Sequence, residues 1–143
     1  MLVALSIRSF VLIERLDLEA ESGFTALTGE TGAGKSIILD ALGLVLGGAA
    51  NRKMVRAGDE QAMVTAEFAL PEAHKVWPIL AGNAIEARPS ETLTLRRMVP
   101  EKGPSRAFVN GQPVNAQLLG EIGELLVEVH GQHAASGLMR PSS

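Results

Sequence analysis

One short stretch constrains this chain more than any other, because residues 29–36 read Gly-Glu-Thr-Gly-Ala-Gly-Lys-Ser. The spacing fits G-x-x-x-x-G-K-[S/T], the phosphate-binding loop known as the P-loop. Its glycines let the backbone turn tightly, so that successive N–H groups can reach phosphate oxygens. Lys35 is then expected to meet the β- and γ-phosphates, and the Ser36 hydroxyl is expected to ligate Mg²⁺, which prefers oxygen.

The residues on either side of this motif supply the context that a P-loop needs. Residues 24–28 form a short apolar, β-prone run, which predicts a strand that leads into the loop. A helix is predicted after Lys35 from apolar residues spaced three and four apart, and Gly47-Gly48 is expected to end it. The sequence therefore predicts a strand, a loop and a helix that together bind ATP and Mg²⁺ through Gly29, Glu30, Thr31, Gly32, Ala33, Gly34, Lys35 and Ser36.

The composition limits the class of protein and the compartment. The chain has 143 residues, which is the size of one domain, and 46% of them are hydrophobic, which is enough for a core. It has no cysteine, so no disulfide framework or thiolate metal site is expected, and a reducing cytoplasm fits. Neither a signal peptide nor an apolar run long enough for a membrane span is recognisable, so no membrane contact is expected.

The charge pattern argues against strong nucleic-acid binding by this chain alone. It carries 13 Lys and Arg residues against 16 Asp and Glu, which gives a net charge of −3, and no basic block stands out. Aromatic residues make up 3% of the chain, and there is no tyrosine for stacking on bases. We therefore expect weak or no DNA binding without further protein.

Alternating apolar and polar residues predict a series of strands outside the P-loop unit. Two are predicted before it, around residues 3–7 and 13–19, and three after it, around residues 64–70, 92–99 and 106–109. Asn110-Gly111 is a strong signal for a tight hairpin turn. Three arginines, Arg96, Arg97 and Arg106, lie in this antiparallel meander, either on an exposed sheet face or near DNA or nucleotide.

The last part of the chain predicts a helix, a strand and a polar end. Asn115 suits the N-cap of a helix that buries Leu118, Leu119 and Ile122. Residues 125–129 then predict a strand that ends at His130-Gly131-Gln132-His133. With one further histidine in the chain and no cysteine, ligands for a zinc site are too few.

The order of the first segments resembles the ATP-binding heads of the SMC-like ABC ATPases, which maintain chromosomes and repair DNA. The Leu-x-Ile-Arg-x-Phe strand at residues 5–10, a second strand and then the P-loop carry this resemblance. Residues 10–13 and 23–36 are similar to the bacterial members that act in DNA repair. The resemblance implies an α/β fold of the P-loop NTPase type, namely the N-terminal lobe of an ABC/SMC-like head with an antiparallel β-meander subdomain.

The same resemblance implies roles for residues outside the P-loop. Gln132 matches the Q-loop glutamine, which would ligate Mg²⁺ together with Ser36. Arg56 matches best, and Arg52 second, an arginine that lies near nucleotide or DNA in such heads. The implied function is ATP binding and hydrolysis that drive head dimerisation in double-strand-break repair and recombination, in the cytoplasm and associated with the nucleoid.

Several parts of such an ATPase are not recognisable in this sequence. After Ser36, no four apolar residues are followed by Asp-Glu, so the Mg²⁺-holding Asp and the water-orienting Glu are missing, and no Ser-Gly-Gly signature occurs. We therefore predict no catalytic residue and no ATP hydrolysis in the isolated chain. Residues 1–135 are interpreted as the N-terminal lobe, and residues 136–143 as a tail that leads toward a missing coiled-coil arm.

The expected partners follow from this interpretation, and alternatives stay open. The partners are the C-terminal half of the same head, a second head in a homodimer, and DNA through the complete protein. The chain is alternatively a piece of another SMC-like or transporter-type ABC head, or an inactive folding or interaction module when isolated. A P-loop kinase or GTPase would need an acidic Mg²⁺-binding strand end, and a GTPase an Asn-Lys-x-Asp motif, and neither is present.

Overall fold

A computed structural model describes residues 2–19 and 32–129. For residues 32–36 and 127–129 within these ranges, it describes the backbone only. Strands and helices follow one another in a mixed order along these residues. They are β1 Leu2–Phe10, β2 Ile13–Glu19, α1 Gly32–Val45, a 3₁₀ turn Arg52–Met54, β3 Gln61–Phe68, α2 Val76–Gly82, β4 Leu93–Pro100, β5 Arg106–Val109, β6 Gln112–Val114 and α3 Ala116–Val129.

The strands form one twisted antiparallel sheet in the order β2-β1-β3-β4-β5-β6. Each of the five strands that alternation predicted outside the P-loop unit is confirmed. The reason is visible in β3, where buried residues alternate with partly or fully exposed ones along all eight positions. Asn110 and Gly111 have φ values of 50° and 84°, as a tight type I′ turn between β5 and β6 requires.

The two faces of the sheet differ in burial. One face, which we call the covered face, carries the buried alternate residues of β1, β3, β4 and β5, and these join the core with apolar residues of α1 and α3. Its opposite, the open face, carries residues that are partly or fully exposed, such as Ser6, Thr65 and Arg96. The core of the described structure therefore lies on one side of the sheet, where α1 packs against β3, β4 and β1.

The P-loop helix α1 has the extent that the sequence predicts. Ile38, Ala41, Leu42 and Val45 are buried at helical spacing, and Gly47 leaves the helix with a φ of 104°. The N–H of Gly48 donates to Gly43 O at 2.9 Å, and that of Gly47 donates to Leu44 O at 3.1 Å. This pair of bonds is a Schellman ending, which glycine favours because of the positive φ.

One predicted element is wrong. Residues 125–129, predicted as a strand, form the end of helix α3. The helix begins as expected, because Asn115 Oδ1 accepts a hydrogen bond from the N–H of Leu118 at 2.7 Å. Its buried residues Leu119, Ile122 and Leu126 continue at helical spacing, so one apolar stripe extends across the whole segment. A contiguous apolar run has no period of its own, and it therefore fits a strand or a buried helix equally well.

No helix in the described part of the chain is both long enough and apolar enough to cross a membrane. Within residues 2–19 and 32–129, no three His, Cys, Asp or Glu side chains come together in a way that could hold a metal ion.

Candidate nucleotide-binding site

The described part of the P-loop is the start of α1. Gly32, Ala33, Gly34, Lys35 and Ser36 form the first residues of this fourteen-residue helix. The first four N–H groups of a helix have no partner within it, and the helix dipole adds positive potential there. A helix start of this kind binds phosphate well. Gly29, Glu30, Thr31 and the strand predicted over residues 24–28 lie outside the described residues.

Gln132, His130 and His133 also lie outside the described residues, so their predicted positions stay predictions. A strand over residues 125–129 would have brought Gln132 to the same sheet edge as the P-loop, because the carboxyl ends of parallel strands meet there. Those residues are helical instead, so this route to the P-loop edge is absent. What the structure gives instead is a helix, α3, that lies close to Leu46 and Gly47, the residues that follow the P-loop helix.

The contact between α3 and the end of α1 is unusually close, and glycines make it possible. A Cβ added to Gly123 would overlap the backbone carbonyl of Leu46, and a Cβ added to Gly47 would overlap the backbone of Gly120. Backbones come this near only where one side lacks a side chain. This contact was not predicted from the sequence, although Gly120 and Gly123 inside an apolar helical pattern were a usable signal.

Arg56 lies in the loop that follows α1, and this loop is held by the turn between β1 and β2. The N–H of Arg56 donates to Ser9 O at 2.8 Å, and the N–H of Val11 donates to Met54 O at 2.7 Å. Ser9 and Val11 have φ values of 52° and 55°, which is unusual for any residue other than glycine and costly for the β-branched Val11. The backbone around Arg56 is therefore fixed by long-range hydrogen bonds.

The side chains of Arg56 and Arg52 both reach the surface. Arg56 Nη1 lies 3.4 Å from Asp59 Oδ2, in an ion pair whose members are 38% and 32% exposed. Such a pair contributes little to stability, so the guanidinium can exchange Asp59 for another anion at low cost. Arg52 is exposed and lines a groove of about 400 Å³ together with the turn between β4 and β5.

The three arginines of the meander have different environments. Arg96 and Arg106 are exposed on the open face, which agrees with the predicted position on an exposed sheet face. Arg97 points to the covered face and is only 3% exposed, so its prediction as a surface or ligand-facing residue is wrong. The sequence did contain a signal for this burial, because Arg97 occupies the same set of alternate positions in the strand as Leu93, Leu95 and Val99.

Arg97 binds the end of the P-loop helix. Its Nη1 donates to Leu44 O at 3.1 Å and to Gly48 O at 2.9 Å, and its Nη2 donates to Ser105 Oγ at 3.0 Å. Burial lowers the pKa of Arg97 below its ordinary value, but a guanidinium stays protonated in proteins. The cation therefore lies at the negative, C-terminal end of the α1 dipole, where positive charge is stabilising.

Comparison with known proteins places this site in a family. The AAA domain family matches residues 4–86, which include the P-loop and α1. The chain belongs to the AAA domain family. Within this family, it is similar along nearly its whole length to "DNA repair protein RecN", and the predicted resemblance to bacterial DNA-repair members of the SMC-like ATPases is thereby confirmed.

Two of these AAA-family relatives show the extent of the similarity. RecN of Vibrio cholerae serotype O1 is 46% identical over 141 residues, which cover 99% of this chain and 25% of that protein. RecN of Bacillus subtilis strain 168 is 43% identical over 139 residues, which cover 97% of this chain and 24% of that protein. The chain thus spans about a quarter of the length of the RecN proteins that it matches.

Solved structures confirm the fold of this AAA-family chain. A chain from "Structural biochemistry of ATP-driven dimerization and DNA stimulated activation of SMC ATPases" has a TM-score of 0.67 and 24% identity, with 87% of this chain and 78% of that chain covered. The Smc head bound to the C-winged helix domain of ScpA has a TM-score of 0.62 and 20% identity, with 87% and 40% covered. The fold is that of an SMC-type P-loop ATPase head, as predicted.

Proposed function

We propose that this chain is the ATP-binding N-terminal lobe of an SMC-like ATPase head that acts in DNA double-strand-break repair and recombination. The observation that carries the proposal is the P-loop signature at the start of α1, in a chain that is 46% identical to a DNA repair protein. Residues 1–135 would form the lobe, and residues 136–143 would lead toward the coiled-coil arm.

The residues present fit ATP and Mg²⁺. The start of a fourteen-residue helix offers unpartnered N–H groups and positive potential to phosphate oxygens. Lys35 would neutralise charge on the β- and γ-phosphates, and the Ser36 hydroxyl would be an oxygen ligand of Mg²⁺. Glycines in the loop of residues 29–34 would bring the backbone close to the phosphates. Bound Mg²⁺ would neutralise charge that develops on the transferred phosphoryl group.

Two further residues complete the proposed site. Gln132 would ligate Mg²⁺ together with Ser36 and sense the γ-phosphate, and Arg56 would approach the nucleotide from the loop that Ser9 and Val11 hold in place. The weak ion pair of Arg56 with Asp59 leaves it able to pair with a phosphate. Both roles rest on the likeness to other SMC-like heads.

The rest of the head would come from elsewhere. The Asp and Glu that complete an ATP-hydrolysing site, and the signature loop of a second head, have no counterpart in this sequence. The proposed partners are therefore the C-terminal half of the same head, a second head in a homodimer, and DNA through the complete protein. For the isolated chain we propose binding of ATP–Mg²⁺ without turnover.

The experiment is calorimetric titration of the purified chain with ATP–Mg²⁺, followed by a steady-state assay of phosphate release. The wild-type chain is expected to bind ATP, and Lys35→Ala is expected to abolish binding because it removes the cation that meets the phosphates. Lys53→Ala, which removes an exposed lysine from the 3₁₀ turn, is the matched control and should bind as the wild type does.

Three outcomes would contradict the proposal. Equal ATP binding by the wild type and Lys35→Ala would show that the P-loop is not the binding site, and a folded wild-type chain that does not bind would leave only the folding or interaction module. Phosphate release near about 1 s⁻¹, within the usual range of enzymes, that disappears in Lys35→Ala would show that the chain is a complete ATPase.

A further inference from the structure

The covered face holds a cation that no step of the proposed ATP chemistry uses. We propose that Arg97 is a positioning residue for the nucleotide site: by binding the C-terminal end of α1, it fixes the orientation of the helix whose other end carries the P-loop. This inference rests on the proposed function, since it concerns the same ATP site. It assigns to Arg97 of β4 an indirect role, through α1, and not the direct contact with nucleotide or DNA that the sequence left open.

The placement of Arg97 in the sheet allows this contact. Its neighbours across the strands are Val64 on β3 and Ala107 on β5, and both are small and buried. Beside them, the long guanidinium side chain can reach the end of α1, where it donates to Leu44 O and Gly48 O. Arg97, on an interior strand of the sheet, thereby binds the C-terminal end of α1.

The hydrogen bonds of Arg97 are additional to an ending that is already complete. Gly47 and Gly48 close α1 through their own N–H groups, and Leu44 O accepts from both Gly47 and Arg97. Burying a guanidinium is costly, and none of the carboxylates in the described ranges pairs with Arg97. A helix end that needed only hydrogen-bond partners would not require a buried cation, and the contact therefore indicates a requirement for a fixed orientation.

The geometry of α1 transmits the orientation from one end to the other. A helix of fourteen residues is about 21 Å long at a rise of about 1.5 Å per residue. A tilt of only a few degrees at the Arg97 end thus displaces the residues at Gly32–Ser36 by about 1 Å, and misplacement of that size is costly where phosphate is held by defined N–H groups. The close contact of Gly123 with Leu46 restrains the same end from the side of α3.

The test uses the whole chain and ATP–Mg²⁺ as the ligand, at a temperature well below the unfolding midpoint of every variant. Arg97→Met keeps the apolar volume and removes the hydrogen bonds, so it should fold and bind ATP about tenfold more weakly, a loss of about 1.4 kcal/mol. Arg97→Lys keeps the charge with fewer donors and should show a smaller loss. Arg96→Met removes the exposed neighbouring arginine and should stay within about twofold of the wild type.

A second measurement, amide hydrogen exchange, reports on the helix itself. In Arg97→Met, the amides of α1 that are hydrogen-bonded within the helix should exchange faster than in the wild type, whereas those of β3 should not change. Arg97→Met and Arg97→Lys that both bind ATP with wild-type affinity would overturn the positioning role and leave the proposed function intact. If Arg97→Met does not fold, Arg97→Lys decides by the same criterion.

The two proposals fail in different ways. A folded wild-type chain that does not bind ATP, or a Lys35→Ala variant that still does, contradicts the proposed function. The exchange measurement then tests separately whether Arg97 fixes α1: unchanged exchange of the hydrogen-bonded α1 amides in Arg97→Met overturns that step of the inference, and faster exchange confined to α1 supports that step.

Discussion

On the covered face of the sheet Arg97 is 3% exposed and donates three hydrogen bonds, whereas on the open face its neighbour Arg96 is exposed to solvent. The two residues are adjacent and identical in chemistry. Because successive side chains of a strand point to opposite faces, the difference of one position in the strand is enough to place one arginine in the core and the other in solvent. The environment of a charged residue in this molecule therefore depends on its position in the alternation and not on its type.

The charges that are exposed on the open face are held in a different way. Arg8 Nη2 lies 2.8 Å from Asp17 Oδ1, and Arg15 Nε lies 3.2 Å from Asp17 Oδ2. The hydrogen bond from Arg8, with further ones from Ser6 and Arg15, lowers the pKa of the Asp17 carboxyl below its ordinary value. These are exposed ion pairs between side chains, and such pairs contribute little to stability. On the covered face, in contrast, the guanidinium of Arg97 donates hydrogen bonds to backbone carbonyls in the core.

The largest expected difference between the faces is in stability. Arg97→Ala should lower the free energy of unfolding by about 3 kcal/mol, because it leaves a cavity and removes the hydrogen bonds to the end of α1. Arg96→Ala should change it by no more than about 0.5 kcal/mol. Urea denaturation of both variants measures the two values, and equal losses would show that the faces do not differ as described.

The second largest effect on stability is expected for a glycine of α3 that packs closely on the covered face. Gly123→Ala should destabilise the chain by about 2 kcal/mol, because its Cβ would overlap the Leu46 backbone and force α3 away from α1. Gly120→Ala gains the same helix propensity, up to about 1 kcal/mol, and its Cβ would meet no atom within 4 Å. Thermal unfolding compares them, and a Gly123→Ala variant as stable as Gly120→Ala contradicts the close packing.

The smallest expected effect concerns the other buried polar residue among those described, His74, which is 5% exposed. Its Nδ1 accepts a hydrogen bond from the N–H of Val76 at 3.0 Å, which suits the neutral ring. Burial, with a contribution from the charge of Lys75, lowers the pKa of His74 below its ordinary value of 6.5. The unfolded chain then binds a proton before the folded one does, so stability is complete above that pH and is lost as the pH falls below it.

The variant His74→Asn isolates this effect, because the Asn oxygen can accept the same hydrogen bond but does not titrate. Between about pH 8 and pH 5, on either side of the ordinary histidine pKa, the free energy of unfolding of the wild type should fall more than that of His74→Asn. Parallel pH profiles for the two proteins would show that His74 is not protonated more readily in the unfolded chain.

The sequence predicted those parts of the fold that depend on local chemistry. Alternation located the strands, Asn110-Gly111 located a hairpin, and the spacing from Gly29 to Ser36 indicated phosphate binding from residue types alone. The end of α3 was predicted wrongly because an unbroken apolar run has no period. The carbonyl partners of Arg97, and the hydrogen bonds that join Ser9 and Val11 to the Arg56 loop, involve residues far apart in the chain, which local patterns do not report.

The position of β1 between β2 and β3 has a consequence for how the chain is made. The ribosome synthesises the hairpin of β1 and β2 before the other strands of this sheet, and such a hairpin alone is only marginally stable. At about 5–20 residues per second, roughly two to eight seconds pass before β3 begins to be made, and α1 is synthesised in that interval. Arg97 is added later still, with β4. The P-loop thus leaves the ribosome well before β4, the strand that carries its support Arg97, so we expect nucleotide to protect arrested nascent chains from proteolysis only once β4 has emerged.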